Sequence, residues 1–334
     1  FDIPYLCNRI KSVMGEDAMK RLSPWGVVQS RMVNSGFGKK TEMFEIMGVN
    51  NLDYLQLYKK FTYSNQESYR LDHIAFVELG QHKDENPYDT FSDWYQKDYQ
   101  SFIDYNIMDV ELVDRLDSKM KLIDLILTMT YEAKVNMSDA FTSVKYWDVL
   151  IYNHLLKRKV VIPTKTRNES KGEKYIGAYV KDPQVGQHKW VMSFDLNSLY
   201  PHLIMQYNIS PEMLLPQTMP YNDNTIDEML SQQIDLSMLP DAKVARTPNG
   251  ALFRTKKQGF LPEMMQEMYN DRTIYKKKML TAKQQYEDTK DPKFLNDVSR
   301  FQNIQMARKI SLNSAYGAIG NEWFRYYDLK IAEG

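Results

Sequence analysis

Residues 262–288 (PEMMQEMYNDRTIYKKKMLTAKQQYED) and residues 293–316 (KFLNDVSRFQNIQMARKISLNSAY) decide how this chain of 334 residues folds. Both stretches carry apolar residues at three- and four-residue spacing, which predicts two long helices. The polar segment between them, DTKDP at residues 288–292, ends in proline and cannot continue the first helix. The pattern therefore predicts a two-helix hairpin with a polar tip.

The two predicted helices carry rows of polar and basic residues. Lys309, Asn313 and Tyr316 lie at positions i, i+4 and i+7, so they share one helix face. Arg272 and Lys276 lie at i and i+4 on the preceding helix. Two such rows on adjacent helices could bind a triphosphate, because Arg binds phosphate oxygens bidentately and Lys supplies a point charge. An ordinary Lys-rich surface hairpin would show the same spacing.

The same periodicity and alternation predict helices and strands over most of the chain, and a length of 334 residues predicts two or three compact units. A helix is expected over 3–22, followed by strands in 26–49 with a turn at 34–36. The further expected elements are helices over 52–61, 67–79, 90–116, 118–134 and 141–158, an apolar strand over 189–195, and a short helical run containing Pro201.

The charges are balanced overall but divided along the chain, with 43 Lys and Arg against 43 Asp and Glu. Residues 72–117 hold twelve acidic and three basic residues, a local charge of −9, and residues 254–310 hold thirteen basic and seven acidic residues, a local charge of +6. This division suggests carboxylate metal chemistry in one half and phosphate binding in the other, although two solvated faces would also produce it. A single cysteine excludes an internal disulfide, and no apolar run reaches the length of an ordinary membrane span.

A carboxylate follows the predicted strand in the stretch SFDLNSLYP at residues 193–201. Asp195 at a strand end is a position from which a metal ligand can act in two-metal phosphoryl transfer. The alternative is that Asp195 caps the helix that follows, as Asp often does. Spacing alone leaves both interpretations open.

Together these stretches resemble the motifs of family B DNA polymerases, in particular the T-even phage replicative branch. DLNSLYP (195–201) resembles motif A and KISLNSAYG (309–317) resembles motif B. FDIPY (1–5) resembles the Exo II segment of the proofreading domain, and YNIMD (105–109) fits the Exo III pattern YxxxD. YIGAY (175–179) is similar to the Y-x-G-G/A element. The resemblance therefore extends over nearly the whole chain.

The resemblance implies a role for each matching residue. Asp195 would be the catalytic metal ligand of the polymerase site, beside the backbone carbonyl of Leu196. Tyr200 would exclude a ribose 2′-OH. The incoming dNTP would be bound by Ser198, Leu199, Tyr200, Arg272, Lys276, Lys309 and Asn313, and the nascent base pair would be lined by Tyr316 and Gly317.

The resemblance also implies roles in the exonuclease and along the DNA. Asp2 and Asp109 would be exonuclease metal ligands, and Tyr105 would be a catalytic residue that orients the attacking water. Tyr175 and Gly177 would hold the template between the two active sites. Two Mg²⁺ ions are expected at each site. The expected partners are primer-template DNA, dNTPs, a sliding clamp and other replisome proteins, in the cytoplasm of a host cell.

The resemblance implies an α/β multidomain architecture: a partial ribonuclease-H-like 3′-5′ exonuclease domain, a partial palm and antiparallel two-helix fingers. The implied boundaries are 1–121 for the exonuclease, 122–166 for a helical return to an N-terminal domain, 167–258 for the palm, 259–320 for the fingers and 321–334 for the palm return.

Two motifs of the family are absent from the sequence: the D-T-D hairpin of motif C and the Exo I pair D-x-E on a first strand. The expectation is therefore a fragment from Exo II to just past motif B, inactive by itself. Three alternatives remain: a DNA- and dNTP-binding subunit of a split polymerase, a protein-primed family B enzyme and a stand-alone nuclease. The short interval 210–258 opposes the second, and the unexplained motif B opposes the third.

Overall fold

The hairpin predicted from residues 262–316 is present in the computed structural model as two long helices. Helix α10 spans Phe260–Thr289 and helix α11 spans Lys293–Ile319. Helix α10 ends where Lys290 takes a left-handed conformation with φ of 56°. Asp291 then accepts a hydrogen bond at 3.0 Å from the backbone N–H of Lys293. The polar tip therefore closes the hairpin as the sequence predicted, with each helix three residues longer than expected.

The structure describes residues 2–34, 40–62, 64–165, 182–221, 231 and 243–334. They form two compact units, Phe1–Lys59 and Lys60–Gly334. This division does not coincide with any of the implied domain boundaries, which stay predictions. The described residues are mostly helical, with small sheets, and no helix among them is long and apolar enough to cross a membrane.

The first unit contains two helices and a two-stranded sheet. The helix expected over 3–22 is divided into α1 (Asp2–Met14) and α2 (Glu16–Lys20). The break falls at Gly15, whose φ of 90° is open to glycine but not to most residues with a side chain. Strands β1 (Val28–Asn34) and β2 (Lys40–Ile46) pair antiparallel, so the strand prediction for 26–49 is confirmed.

The remaining helices follow the two-stranded sheet in sequence: the first of them begins within the first unit, and the last follows the hairpin. The long helix expected over 90–116 is interrupted at Asp98, whose side chain accepts a hydrogen bond from the backbone of Ser101 and so caps a new helix. The α-helices are α3 (Tyr54–Phe61), α4 (Leu71–Leu79), α5 (Phe91–Lys97), α6 (Tyr99–Met120), α7 (Leu122–Ala133), α8 (Ser143–Lys157), α9 (Leu199–Gln206) and α12 (Leu329–Glu333), and single 3₁₀ turns span Met137–Phe141 and Pro211–Met213.

Helices α7 and α8 pack against the base of α11. The phenol oxygen of Tyr146 lies 2.8 Å from Ser311 Oγ, and both side chains are buried. The indole N–H of Trp147 donates to the carbonyl of Ser311 at 3.2 Å and to Ser314 Oγ at 3.1 Å. Because buried polar groups are costly unless they are paired, these bonds fix the position of α11 on α8.

A three-stranded antiparallel sheet precedes α10. Its strands β3 (Leu214–Thr218), β4 (Val244–Arg246) and β5 (Ala251–Arg254) pair in the order β3-β5-β4. The turn before β5 requires glycine: Gly250 has a φ of 78°, and a Cβ there would lie 2.0 Å from the carbonyl oxygen of Met219.

Asn208 joins the end of α9 to the start of α10. Its amide N–H donates to the carbonyl of Lys257 at 2.9 Å, and its amide oxygen accepts from the backbone of Gly259 at 2.9 Å. Helix α9, which follows the motif A residues, is thereby held against α10.

The strand predicted over 189–195 is wrong. These residues form no strand in the structure, and Asp195 is therefore not at a strand end. The apolar side chains of the segment are exposed, with Trp190 at 97% and Phe194 at 86%. A strand needs a hydrogen-bonded neighbour, and no strand in the described part of the chain pairs with this segment.

Candidate functional site

A hydrogen bond connects the segment that follows Asp195 to the first helix of the hairpin. Arg272 on α10 donates from Nη1 to Ser198 Oγ at 3.1 Å. Ser198 takes a left-handed conformation with φ of 55° immediately before α9, so its side chain is presented at the start of that helix. The Nε of Arg272 is buried and has no hydrogen-bond partner among the described residues. This guanidinium group therefore retains donor capacity beyond the bond to Ser198.

Two tyrosines stack where α9 meets α11. The rings of Tyr200 and Tyr316 have centroids 4.5 Å apart and planes 12° apart. The phenol of Tyr316 also donates to the carbonyl of Ala332 at 3.4 Å, which restrains its ring from the other side. Tyr200 keeps 40% of its surface exposed. The stack therefore gives the site a rigid aromatic wall with one accessible face.

Helix α11 presents the predicted row of residues as the spacing required. Lys309 is half-buried, whereas Asn313 is exposed one turn later. Gly317 is also exposed, and a Cβ placed on it would meet nothing within 4 Å. On α10, Lys276 is exposed one turn after Arg272. The hairpin thus carries cations and an amide, and a side chain at Gly317 would extend into open space.

The carboxylate expected to bind metal lies in the exposed segment before α9. Asp195 is exposed, as are Leu196 at 71% and Leu199 at 41%. Among the described residues, no group of three or more His, Cys, Asp or Glu side chains is arranged to hold a metal ion. The described residues therefore do not form a complete metal site, and at most Asp195 supplies one carboxylate.

A second polar cluster lies in the acidic half of the chain. It consists of Tyr105 and Asp109 on α6 and Lys83 in the loop between α4 and α5. The ammonium group of Lys83 lies 2.7 Å from Asp109 Oδ1 and donates to Oδ2 at 2.8 Å. The same nitrogen lies 4.6 Å from the centre of the Tyr105 ring. Burial lowers the pKa of Lys83, but hydrogen bonds to Asp109 and to Tyr105 outweigh burial, so its pKa is raised. The charged ammonium therefore neutralises the carboxylate that the resemblance assigned to a metal.

Sequence reasoning missed Lys83. The available signal was its rarity, because it is one of three cations among twelve acids between residues 72 and 117. Its pairing with Asp109, 26 residues further along, depends on the loop between α4 and α5 and is invisible to local spacing.

The other residues predicted for the exonuclease and for DNA binding are not brought together in one described unit. Asp2 is exposed in the first turn of α1, within the first compact unit, whereas Asp109 belongs to the second. Tyr175 and Gly177 lie outside the described residues.

Comparison with protein families gives two matches on this chain. The profile described as DNA polymerase family B matches residues 141–334, more than half of the chain. The profile described as the exonuclease domain of DNA polymerase family B matches residues 1–74. The first match contains the Arg272–Ser198 bond and the tyrosine stack, and the second contains Asp2.

Individual relatives agree with these matches. The DNA-directed DNA polymerase of Escherichia phage RB69 is 35% identical over an alignment covering 99% of this chain and 40% of the relative. The enzyme of the same name from Enterobacteria phage T4 is 34% identical over the same shares. The DNA polymerase delta catalytic subunit of Candida albicans is 27% identical over 96% of this chain and 30% of its own length. The chain thus spans about 40% of the length of its phage relatives.

Proposed function

The chain belongs to DNA polymerase family B, and from that premise we propose that it binds the incoming dNTP in a replicative DNA-directed DNA polymerase with 3′-5′ proofreading activity. The observation that carries the proposal is the Arg272–Ser198 hydrogen bond beside the Tyr200–Tyr316 stack. It links a cation of the hairpin to the residues that follow Asp195. The arginine proposed to bind phosphate and the tyrosine proposed to face the sugar therefore lie next to one another.

The hairpin cations would bind the triphosphate. The unused donors of Arg272 suit phosphate oxygens in a fixed, bidentate geometry, and Lys276 and Lys309 would add positive charge along it. Their role in the reaction would be to stabilise the negative charge that develops on the departing pyrophosphate. Asn313, one turn beyond Lys309, would contact the nucleotide on the same face.

The stacked tyrosines would form the wall against the sugar and base. Tyr200, held by its stack on Tyr316, would exclude a ribose 2′-OH by its volume. Gly317 and Tyr316 would line the nascent base pair, and the open space beside Gly317 supports that role. Ser198 and Leu199 would contact the dNTP from the start of α9.

Family B polymerase and exonuclease domains use divalent metal ions, and we propose Mg²⁺ for this one. Asp195 and the Leu196 carbonyl would supply ligands in the polymerase, and Asp2 and Asp109 would do so in the exonuclease. The described residues do not complete either metal site, and Asp109 is ion-paired with Lys83. The roles proposed for the hairpin residues therefore depend on the hairpin's own charged side chains and not on a metal ion. In the exonuclease, Tyr105 would orient the attacking water.

The proposed domain organisation and partners follow the family. Primer-template DNA would be the macromolecular substrate, with Tyr175 and Gly177 at the template, and a sliding clamp and other replisome proteins in the host cytoplasm are proposed as partners. The proposed boundaries are exonuclease 1–121, helical return 122–166, palm 167–258, fingers 259–320 and palm return 321–334.

The test is the dNTP dependence of primer extension by the full-length protein that contains this chain. Arg272→Ala should raise the KM for dNTP by about tenfold or more, because charged hydrogen bonds contribute roughly 1.5–3 kcal/mol, while primer-template affinity stays within twofold. Lys283→Ala, an exposed lysine further along α10, is the matched control and should leave KM unchanged. An Arg272→Ala enzyme with wild-type dNTP dependence would contradict the proposal.

A second candidate is a non-catalytic subunit of a split polymerase. The exposed apolar segment at Trp190 and Phe194 favours it, since an exposed apolar run suits contact with another polypeptide. Copurification of this chain, expressed without any extension, with a separate polypeptide that restores primer extension would support this candidate.

A further inference from the structure

Arg308 connects three helices at the base of the hairpin. Its Nη1 lies 2.9 Å from Glu132 Oε2 on α7, and its Nη2 lies 3.3 Å from Asp271 Oδ2 on α10. The Arg308 and Glu132 side chains are only 18% and 23% exposed, and Asp271 is 46% exposed. We call these three residues the Arg308 hub. It joins both hairpin helices to a helix outside the hairpin.

The hub lies beside two of the three cations proposed to bind the triphosphate, Arg272 and Lys309. Asp271 immediately precedes Arg272 on α10, and Arg308 immediately precedes Lys309 on α11. Successive residues on a helix project in different directions, so the hub and the cations occupy different faces of the same turns. A change in the rotation or register of either helix at the hub would therefore move the neighbouring cation.

The hub is poorly suited to contribute stability. Burial raises the pKa of Glu132, and the negative charge of Asp271 raises it further. The positive charge of Arg308 lowers this pKa but does not bring it back to the ordinary value. Arg308 Nε is also buried without a hydrogen-bond partner among the described residues. The cost of burying these charges thus offsets much of their attraction, as it often does for buried ion pairs. Such a pair is better explained by the geometry it imposes.

We propose that Arg308 is a positioning residue for dNTP binding, holding Arg272 and Lys309 in register through its ion pairs with Asp271 and Glu132. This inference rests on the proposed function, because it assigns to the hub an effect on that same site. Positioning has large consequences where charges must meet a ligand, since a misplacement of about 1 Å can reduce a rate about 100-fold. Arg308 itself contacts no substrate in this account.

The first test compares primer extension by full-length Arg308→Gln and Asp271→Asn enzymes with that of the wild type. Both variants should raise the KM for dNTP, by about tenfold for Arg308→Gln and less for Asp271→Asn, with primer-template affinity unchanged. Arg300→Gln is the matched control, because Arg300 is an exposed arginine on the same helix with no ion pair among the described residues. Lower thermal stability with an unchanged KM would overturn the proposal.

A double variant tests whether the effect of Arg308 on dNTP binding passes through Arg272. If Arg308 acts by placing Arg272, then adding Arg308→Gln to Arg272→Ala should cost less than the product of the two separate losses. Losses that multiply fully would mean that the two residues act independently and would overturn the proposal.

A third measurement needs no nucleotide and separates this inference from the proposed function. Hydrogen exchange at the Arg272 guanidinium, followed by NMR, should accelerate several-fold in Asp271→Asn and Arg308→Gln because the bond to Ser198 loosens. Acceleration in a protein that binds no dNTP would uphold the positioning role and refute the proposed function. Unchanged exchange would refute the positioning role, whatever the enzyme does with dNTPs.

Discussion

At the scale of single residues, the structure distinguishes groups that are fully occupied from groups that retain binding capacity. Arg272 uses one nitrogen on Ser198 and keeps a buried Nε without a partner among the described residues. Lys83, in contrast, is already ion-paired with Asp109. An unpaired buried donor costs free energy that an anionic ligand can recover. This difference makes the hairpin end of the second unit the better-prepared site for a phosphate.

Tyr200 should control discrimination against ribonucleotides. Its ring is fixed by the stack on Tyr316, so replacing it with alanine removes the wall without removing any cation. Tyr200→Ala in the full-length protein is expected to raise the ratio of rNTP to dNTP incorporation by at least tenfold, as measured by single-nucleotide extension. Tyr207→Ala, just beyond α9, is the control. An unchanged ratio in Tyr200→Ala would show that the ring does not face the sugar.

Lys83 should contribute to the stability of the acidic half. Both members of its pair with Asp109 are less than one third exposed, at 18% and 28%, so removing the cation leaves a largely buried carboxylate unpaired. Lys83→Met is expected to lower the free energy of unfolding by about 1–3 kcal/mol in urea titrations. The control is Lys97→Met, whose pair with Asp93 is well exposed and should contribute less than the Lys83 pair because solvent screens it. Equal losses in the two variants would contradict this assignment.

At the scale of elements, the long helices were predictable and the strand was not. The periodicity of 262–316 predicts α10 and α11 because both are long and amphipathic near their bases. The breaks at Gly15 and Asp98 were missed because one residue's backbone conformation or cap decides them. The strand expected over 189–195 was wrong because apolar composition cannot indicate whether a pairing partner is present.

The site divides in the same way. Arg272 and Lys309 could be proposed from motifs, because their helical spacing is local. Lys83 and Arg308 could not, since their partners lie 26 or more residues away and the pairings exist only after packing. Long-range ion pairs of this kind leave no periodic trace in a sequence.

The joint between α8 and α10 should make the second unit sensitive to acid. Arg158, the C-cap residue of α8, donates to Glu263 in the first turn of α10, and His154 Nε2 lies 3.7 Å from the same carboxylate. Burial, with help from Arg158, lowers the pKa of His154. The hydrogen bond from Arg158 lowers the pKa of Glu263. In both cases the unfolded state binds protons more readily than the folded state.

Stability should therefore fall as pH is lowered, in two windows. The contribution of His154 to stability is complete above its unfolded pKa of about 6.5 and is lost as pH falls through its lower folded value. The contribution of Glu263 is complete above its unfolded pKa of about 4.5 and is lost in the same way at lower pH. Urea titrations between pH 8 and 3 measure the free energy of unfolding across both windows. His154→Gln should flatten the upper window and Glu263→Gln the lower one, while His188→Gln, an exposed histidine, should change neither. A wild-type slope in His154→Gln would exclude that residue as the cause.

At the scale of the whole molecule, the distribution of apolar surface is uneven. The base of the hairpin is closed by buried residues of α7, α8, α10 and α11, whereas residues 190–196 expose several large apolar side chains in succession. Isolated exposed apolar residues are ordinary, but a continuous run is typical of a surface that pairs with another segment. The segment also carries Asp195, so whatever covers it would adjoin the candidate site.

This exposed segment should dominate the chain's solubility and part of its fluorescence. Trp190 is 97% exposed, Trp25 is 69% exposed and Trp323 is 53% exposed, whereas Trp94 and Trp147 are almost fully buried, so iodide should quench the Trp190 emission most strongly. Trp190→Phe should remove much of the quenchable fraction in a titration, and Trp323→Phe, at 53% exposure, should remove less. Replacing Met192 and Phe194 together by serine should reduce binding of a hydrophobic dye and delay aggregation without lowering the midpoint of unfolding, since neither side chain packs in the core. If dye binding persists in that double variant, the apolar surface must lie elsewhere, and the segment would then be covered in solution.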